Sequence, residues 1–122
     1  MIDKNKTYAI IGASNNSDKY GFKVLKDLTE AGYKVYPINP KNGEILGLKV
    51  YKKIAEVPEK IDFVIFVVPP SVTEQVLPEV KKMKIENVWL QPGSESSQAI
   101  AYCQTNGINC IHHACIMIEK NK

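Results

Sequence analysis

The sequence predicts an α/β protein built around a mostly parallel sheet. Short apolar runs alternate with segments of helical periodicity along the whole chain, and repeated β–α units favour a parallel sheet with helices on both faces. The run from Phe63 to Val68 is apolar at every position, which is typical of a central strand covered on both sides. We therefore expect a Rossmann-like, doubly wound, three-layer αβα fold with about five to six strands.

The N-terminal part of the chain predicts two strands separated by a helix. Tyr8 to Ala13 is an apolar run interrupted by a glycine. The segment from Gly21 to Ala31 carries apolar residues at helical spacing, and Gly32 follows as a C-cap. Lys34 to Ile38 is the second expected strand. A loop then leads to a short helical turn near Ile54 to Val57.

The helix after the central strand has a recognisable start signal. Ser71 and Glu74 have the spacing of a capping box, in which the two side chains satisfy each other's backbone amides. We expect the helix to run to about Met83. Pro78 lies inside this stretch and predicts a kink or a shifted start, because proline has no backbone N–H to donate.

The C-terminal part predicts two further strands and a helix. Val88 to Leu90 is an apolar strand. Ser94 is placed to cap a helix that extends to about Thr105. Cys110 to His112 is expected as a last short strand, and Ile116 to Ile118 as an apolar C-terminal segment.

Composition predicts one cytoplasmic domain covering residues 1–122. No apolar run approaches the roughly 20 residues that span a membrane, and residues 1–6 lack the apolar core of a secretory signal. The net charge is only +3, without a basic cluster interleaved with aromatics, so neither a membrane nor a nucleic-acid partner is expected. All 16 basic residues are lysines, so a phosphate must be held by backbone amides, hydroxyls and ammonium groups.

The predicted ligand site lies where the parallel strands end. In doubly wound sheets ligands bind at the carboxyl ends of the strands, near the point where strand order reverses. This rule selects the loops after Ala13, Ile38, Val68 and Leu90, which contain Gly, Pro, Ser, Asn or Gln. The first of these loops leads into a helix N-terminus, which offers free N–H groups and a positive dipole end to an anion.

The first loop departs from the common nucleotide fingerprints. Gly12 takes the first place of a G-x-G-x-x-G pattern, but Ser14 and Ser17 stand where further glycines belong. Asn39 occupies the place of the usual ribose-binding carboxylate, and Lys41 follows it. A cation there favours an additional phosphate on the ligand and argues against NAD or FAD. The Walker A pattern is also absent from the sequence.

Taken together, these loops resemble those of a known protein family. The segments that carry the resemblance occur in order along the chain: Gly12-Ala13-Ser14, Tyr20-Gly21, Tyr36-Pro37-Ile38-Asn39-Pro40-Lys41, Val68-Pro69-Pro70 and Trp89-Leu90-Gln91-Pro92-Gly93. They look like the small stand-alone CoA-binding proteins, which are similar to the N-terminal domain of the succinyl-CoA synthetase alpha subunit. The resemblance implies binding of CoA or an acyl-CoA. In the synthetase the phosphohistidine belongs to a further domain, so ligase chemistry would require partner subunits.

The resemblance also implies roles for the individual loops. The loop from Ser14 to Gly21 would hold the pyrophosphate. Pro40 and Lys41 would flank the adenosine, with Lys41 a candidate contact for the adenine face or the 3′-phosphate. The apolar wall against the adenine would be formed by Val68, Pro69 and Pro70. The segment from Gln91 to Gly93 would line the path of the pantetheine arm. The complete set of expected ligand-binding residues is Gly12, Ala13, Ser14, Asn15, Lys19, Tyr20, Gly21, Asn39, Pro40, Lys41, Val68, Pro69, Pro70, Val72, Gln91, Pro92 and Gly93.

Other chemistries are less well supported by the sequence. His112, His113 and Cys115 suggest a metal site or a nucleophile with its base, but neighbouring histidines on a strand point to opposite faces. A mixed disulfide between a cysteine and the CoA thiol is a further alternative. Two other function classes remain open, an NAD(P)-dependent enzyme and a regulatory module with a vestigial nucleotide pocket. We expect no catalytic residues and no metal ligands.

Overall fold

A central parallel sheet organises the protein. The computed structural model describes residues 3–41 and 43–119. The five strands of this sheet are β1 (Thr7–Ile11), β2 (Lys34–Ile38), β5 (Phe63–Phe66), β6 (Asn87–Leu90) and β7 (Asn109–Ile111), and between β2 and β5 the chain forms the antiparallel hairpin β3 (Gly43–Ile45) and β4 (Leu48–Val50). The sheet order is β2-β1-β5-β6-β7, with every neighbouring pair parallel.

Helices cover both faces of this sheet. They are α1 (Tyr20–Glu30), α2 (Pro70–Lys82), α3 (Ser97–Thr105) and α4 (Ile116–Glu119), with a 3-10 turn at Ile54–Glu56. All residues of β1 and β5 are buried, as the apolar run in β5 predicts for strands at the centre of a covered sheet. The predicted three-layer, Rossmann-like α/β fold is therefore confirmed.

Alternating residues of the central strands feed two separate hydrophobic cores. Val64 and Phe66 of β5 pack with Leu77 and Val80 of α2 on one face. The intervening Phe63 and Ile65 face α1 and α4 on the other side. This separation follows from the two-residue periodicity of a strand, which sends successive side chains to opposite faces. Both helical layers are thus fixed to the same strands that end at the predicted ligand site.

The expected capping box at the start of α2 is wrong. The helix begins at Pro70, with Pro69 as its N-cap and no capping side chain, because proline suits the first helical position. Ser71 therefore lies inside the helix, and the Glu74 carboxylate accepts a hydrogen bond of 2.6 Å from the Ser96 hydroxyl instead. The helix continues through Pro78, whose side chain is exposed.

The start of α3 also differs from expectation. Ser96, not Ser94, is its N-cap, and the Ser96 hydroxyl accepts a hydrogen bond of 3.0 Å from the Ala99 amide. Ser94 is buried and bonds to a neighbouring loop, as described below. The last strand ends at Ile111, one residue before the expected boundary. In the described part of the chain, no helix is long and apolar enough to cross a bilayer.

Candidate functional site

The order of the strands places one crevice at the centre of the sheet. The chain passes from β1 to β2 on one side, whereas β5 lies on the other side of β1. Ligands in doubly wound sheets bind where strand order reverses in this way. Just beyond β1, the Gly12 amide donates a hydrogen bond of 3.3 Å to the Ile38 carbonyl, and the Val67 amide donates one of 2.9 Å to the Ile11 carbonyl.

Two glycines allow three backbone segments to meet at this crevice. A Cβ atom on Gly12 would lie 2.2 Å from the Val67 carbonyl oxygen, and Gly12 has a φ of +96°. A Cβ atom on Gly21, near the start of α1, would lie 1.9 Å from the Gly12 carbonyl oxygen. Neither distance is possible between real atoms. Gly21 therefore permits the close approach of the α1 N-terminus to the end of β1, and Gly12 permits that of the chain just beyond β1 to the chain just beyond β5.

Side chains hold the neighbouring loops to one another. The Asn39 side-chain amide donates a hydrogen bond of 2.7 Å to the Ala13 carbonyl, while its oxygen accepts one of 2.8 Å from the Lys41 amide. The buried Ser94 hydroxyl accepts a bond of 2.9 Å from the Val68 amide. Asn39 thus connects the loops after β1 and β2, and Ser94 connects those after β5 and β6.

A polar cavity of about 380 Å³ lies beside the start of α1. The α1 N-cap is Lys19, whose side chain makes no capping hydrogen bond, and the first turn contains no acidic residue. Such a helix end leaves N–H groups available to an anion. The cavity is lined by Ser14, Asn15, Asn16, Lys19, Asn39, Lys41, Glu44, Ile45 and Val50.

An apolar cavity of about 260 Å³ lies on the other side of Gly12, between the ends of β1 and β2 and helix α2. Its charged lining residues are Lys52, Lys53 and Glu79, and the remaining lining is aliphatic or backbone. A flat heterocyclic base suits such walls, because it gains apolar contact on both faces. The other lining residues are Ile11, Gly12, Ile38, Pro40, Ile54, Val68, Val72 and Val76.

A smaller cavity of about 100 Å³ lies at the end of β6, between Tyr20, Val67, Gln91, Pro92 and Cys115. Gln91 is only 3% exposed, and its side chain forms hydrogen bonds that hold the segment at Cys115 and Ile116 against the end of β6. Its Nε2 donates to the Cys115 sulfur at 3.4 Å, and its Oε1 accepts from the Ile116 amide at 2.8 Å. We refer to the polar, apolar and small cavities together as the carboxyl-edge groove.

Most of the expected site residues line this groove, whereas Ala13, Gly21, Pro69, Pro70 and Gly93 do not. Pro69 and Pro70 form the start of α2, Ala13 is buried, and Gly21 supports Gly12 from inside α1. Gly93 is exposed, and its amide bonds to the Glu95 carboxylate at 2.9 Å. Residues that line the groove but were not predicted as ligand contacts are Ile11, Asn16, Ile38, Glu44, Ile45, Val50, Lys52, Lys53, Ile54, Val67, Val76, Glu79 and Cys115.

Lys52 and Lys53, which were not predicted as ligand contacts, directly follow Tyr51, whose pairing with β2 was not predicted from the sequence. Tyr51 forms a parallel bridge with Ile38 at the end of β2, exchanging backbone hydrogen bonds with Asn39 and Pro37. This pairing brings Lys52 and Lys53 to the carboxyl edge. The only sequence signal for it is the alternation around Val50, Tyr51 and Ile54, which is too short to predict a strand partner.

The two neighbouring histidines do not point to opposite faces of a strand, and that expectation is wrong. β7 ends at Ile111, so His112 and His113 are not on a strand, and their Nδ1 atoms lie 2.5 Å apart. His113 has a φ of +59°, which turns the chain at this point. Among residues 3–41 and 43–119, no group of three or more His, Cys, Asp or Glu side chains is arranged to hold a metal ion.

The three cysteines are free thiols, two of which are neighbours. A hydrogen bond between Cys103 and Cys110 raises the pKa of the buried Cys103 thiol, with burial as a further cause. The same bond lowers the pKa of Cys110. This pair lies between α3 and β7, whereas Cys115 lines the groove.

A further cavity of about 330 Å³ lies away from the groove, along the edge strand β2. Three tyrosines, Tyr33, Tyr36 and Tyr51, contribute to its walls. A hydrogen bond to the Glu59 carboxylate raises the pKa of Tyr36 to about 12. Since no loop after β1, β5 or β6 contributes to this cavity, it is separate from the candidate site.

We expect the substitution Gln91→Leu to loosen the C-terminal segment. The variant leaves the buried Ile116 amide without its acceptor, which costs about 1–3 kcal/mol of unfolding free energy. Urea unfolding measures this change. Gln98→Leu, at an exposed position of α3, is the matched control and should change stability by less than about 0.5 kcal/mol. Equal stability of the two variants would contradict the role assigned to Gln91.

Two known proteins of similar length match nearly the whole chain. A solved structure of a conserved hypothetical protein from Pyrococcus furiosus is 40% identical, with a TM-score of 0.89 over 93% of this chain and 98% of that chain. The uncharacterized protein YneT of Bacillus subtilis is 26% identical over 118 residues, which is 97% of this chain and 87% of YneT.

Longer proteins match part of the chain. An ADP-forming acetate–CoA ligase of Methanocaldococcus jannaschii is 43% identical over 85 residues, or 70% of this chain. The match spans only 12% of the length of that ligase. The sequence model of the family described as CoA binding domain matches residues 6–121. The family predicted from the loop motifs is thus confirmed, and the chain belongs to the CoA binding domain family.

Proposed function

We propose that residues 1–122 act as one unit that binds CoA or an acyl-CoA in the carboxyl-edge groove. The observation that carries this proposal is the succession of a polar, an apolar and a small cavity around Gly12, in a chain of the CoA binding domain family. CoA has three chemical parts that correspond to these cavities. Its charged pyrophosphate suits the polar cavity, its base suits the apolar cavity, and its long arm, which ends in a thiol, suits the small cavity.

In this proposal the pyrophosphate occupies the polar cavity. The N-terminus of α1 offers backbone N–H groups, and Lys19 and Lys41 supply positive charge on either side. Ser14, Asn15 and Asn39 add hydroxyl and amide groups. Because the chain has no arginine, this combination is the means of phosphate binding that its composition allows.

The adenine and the pantetheine arm then extend to opposite sides. The apolar walls at Pro40, Val68 and Val72 accept the base. The arm passes from the polar cavity towards Gln91 and Pro92, at the end of β6. This direction places the CoA thiol near Cys115 and the Gln91 amide.

We further propose that the chain binds its ligand without catalysing a reaction by itself. The groove is lined mainly by backbone, amides, hydroxyls, lysines and aliphatic side chains. Its two carboxylates, Glu44 in the polar cavity and Glu79 in the apolar cavity, do not line the small cavity that contains Cys115. Its one thiol, Cys115, is hydrogen-bonded by the Gln91 amide, which cannot act as a general base. The acyl transfer indicated by the name of the acetate–CoA ligase would accordingly require further protein segments.

The test is a thermal-unfolding and calorimetric titration with CoA, dephospho-CoA, NAD, NADP and ATP. A ligand at a hundred times its dissociation constant stabilises the folded state by about 2.7 kcal/mol, which raises the Tm on the order of 10 °C for a domain of this size. We expect this shift with CoA. A shift with NADP but none with CoA would favour an oxidoreductase-like domain, and no shift with any nucleotide would favour a vestigial pocket.

A further inference from the structure

Two lysines occupy a distinctive position at the apolar cavity. Lys52 and Lys53 line this cavity together with Pro40, Val68 and Val72, which form its apolar walls. Both ammonium groups are exposed, and within the described residues neither side chain makes an ion pair or hydrogen bond. Two cations beside an apolar wall suit a ligand that joins a flat base to an anionic group.

The backbone on both sides of this lysine pair is fixed. On the N-terminal side, Tyr51 accepts a hydrogen bond of 2.9 Å from the Asn39 amide and donates one of 3.0 Å to the Pro37 carbonyl. On the C-terminal side, Ile54 is 1% exposed within the core beneath α2. The chain therefore presents the two lysines at the groove without first having to order a flexible loop.

The other cations of the groove lie in a different cavity. Lys19 and Lys41 line the polar cavity beside the N-terminus of α1, and the Lys41 amide is bonded to Asn39. The apolar cavity also contains the carboxylate of Glu79, so its three charged side chains sum to +1. The groove thus has two separate positive regions. CoA also has two separate anionic groups, the pyrophosphate and the phosphate monoester on the 3′ position of its ribose.

We propose that Lys52 and Lys53 recognise the 3′-phosphate of CoA and so determine selectivity for CoA over dephospho-CoA. This inference rests on the proposed function, and it gives these lysines a contact that the sequence resemblance offered as one of two candidate roles of Lys41. Lys41 then serves the pyrophosphate, which CoA and dephospho-CoA share. The 3′-phosphate is attached to the ribose that carries the base, and the lysine pair lines the same cavity as the apolar walls proposed to hold that base.

Isothermal titration calorimetry of the full chain with CoA and dephospho-CoA tests this assignment. The double substitution Lys52→Ala/Lys53→Ala should weaken CoA binding about 10- to 100-fold, because hydrogen bonds to charged groups are lost. Binding of dephospho-CoA should change less than about twofold. Lys41→Ala should weaken the binding of CoA and of dephospho-CoA by the same factor. Circular dichroism and the Tm verify that each variant is folded.

A charge-matched control separates direct contact from a general electrostatic effect. Lys6 and Lys60 line a cleft at the amino ends of the strands, far from the groove, so Lys6→Ala/Lys60→Ala removes the same charge at another place. This control should bind both ligands like the wild type. Equal weakening of CoA binding in the two double variants would overturn the assignment, as would wild-type binding of CoA and dephospho-CoA with equal affinity. If the wild type binds neither ligand, the proposed function itself fails.

Discussion

Replacing Gly21 with alanine is expected to destabilise the fold by about 3 kcal/mol or more. The new methyl group would lie 1.9 Å from the Gly12 carbonyl oxygen, and this neighbour is backbone that cannot rotate away. Helix propensity alone predicts the opposite result, because alanine is favoured over glycine by about 1 kcal/mol inside a helix. The sign of the change therefore distinguishes the close contact from propensity. Urea or thermal unfolding measures it, and a variant more stable than the wild type would contradict this packing.

The same substitution should also abolish binding of CoA. To admit the methyl group, α1 must move away from the end of β1, which displaces its N-terminus from the polar cavity. Calorimetry below the Tm of the variant separates this effect from unfolding. A folded Gly21→Ala protein with wild-type affinity would show that the helix end does not hold the pyrophosphate.

The second large effect is expected for Gly12→Ala, for two combined reasons. The added Cβ would lie 2.2 Å from the Val67 carbonyl oxygen and 2.7 Å from a Val68 methyl carbon. In addition, the φ of +96° disfavours every residue with a Cβ atom. We expect a loss of about 3 kcal/mol or more of unfolding free energy, together with a widened separation of β1 from β5 at their carboxyl ends.

Gly107→Ala is the matched control for this variant. Gly107 has a φ of +69° but nothing within 4 Å of the position of its added Cβ. Gly107→Ala should therefore lower the free energy of unfolding only through the unfavourable positive φ, by on the order of 1 kcal/mol. Chemical denaturation of both variants gives the difference, which measures the steric part at Gly12. Equal losses at the two positions would show that the β1–β5 contact tolerates a side chain.

Much of the fold follows directly from the sequence. The wholly apolar stretch in β5 identifies a central strand, and the spacing of Val24, Leu25 and Leu28 identifies the buried face of α1. The starts of α2 and α3 were harder to predict. Several serines and prolines compete at each start, and the outcome depends on tertiary partners, such as Glu74 for Ser96 and Val68 for Ser94.

The part of the candidate site that is formed by the loops after the parallel strands was predictable from the sequence. The loops after β1, β2, β5 and β6 meet because parallel strands share one carboxyl edge. The contribution of Lys52 and Lys53 was not predictable, because it depends on the bridge between Tyr51 and Ile38. That Lys41 lines the polar cavity while the adjacent Pro40 lines the apolar cavity was likewise not predictable from the sequence.

The hydrogen bonds of Asn39 and Ser94 have a consequence for redesign of the groove. Each of these side chains belongs to one loop and satisfies a backbone group of the next, through Ala13 and Val68. A loop transplanted alone from a relative would leave a polar group of its neighbour without a partner, at a cost of about 1–3 kcal/mol. Grafts that alter ligand preference should therefore exchange these loops in pairs, the first with the second and the third with the fourth.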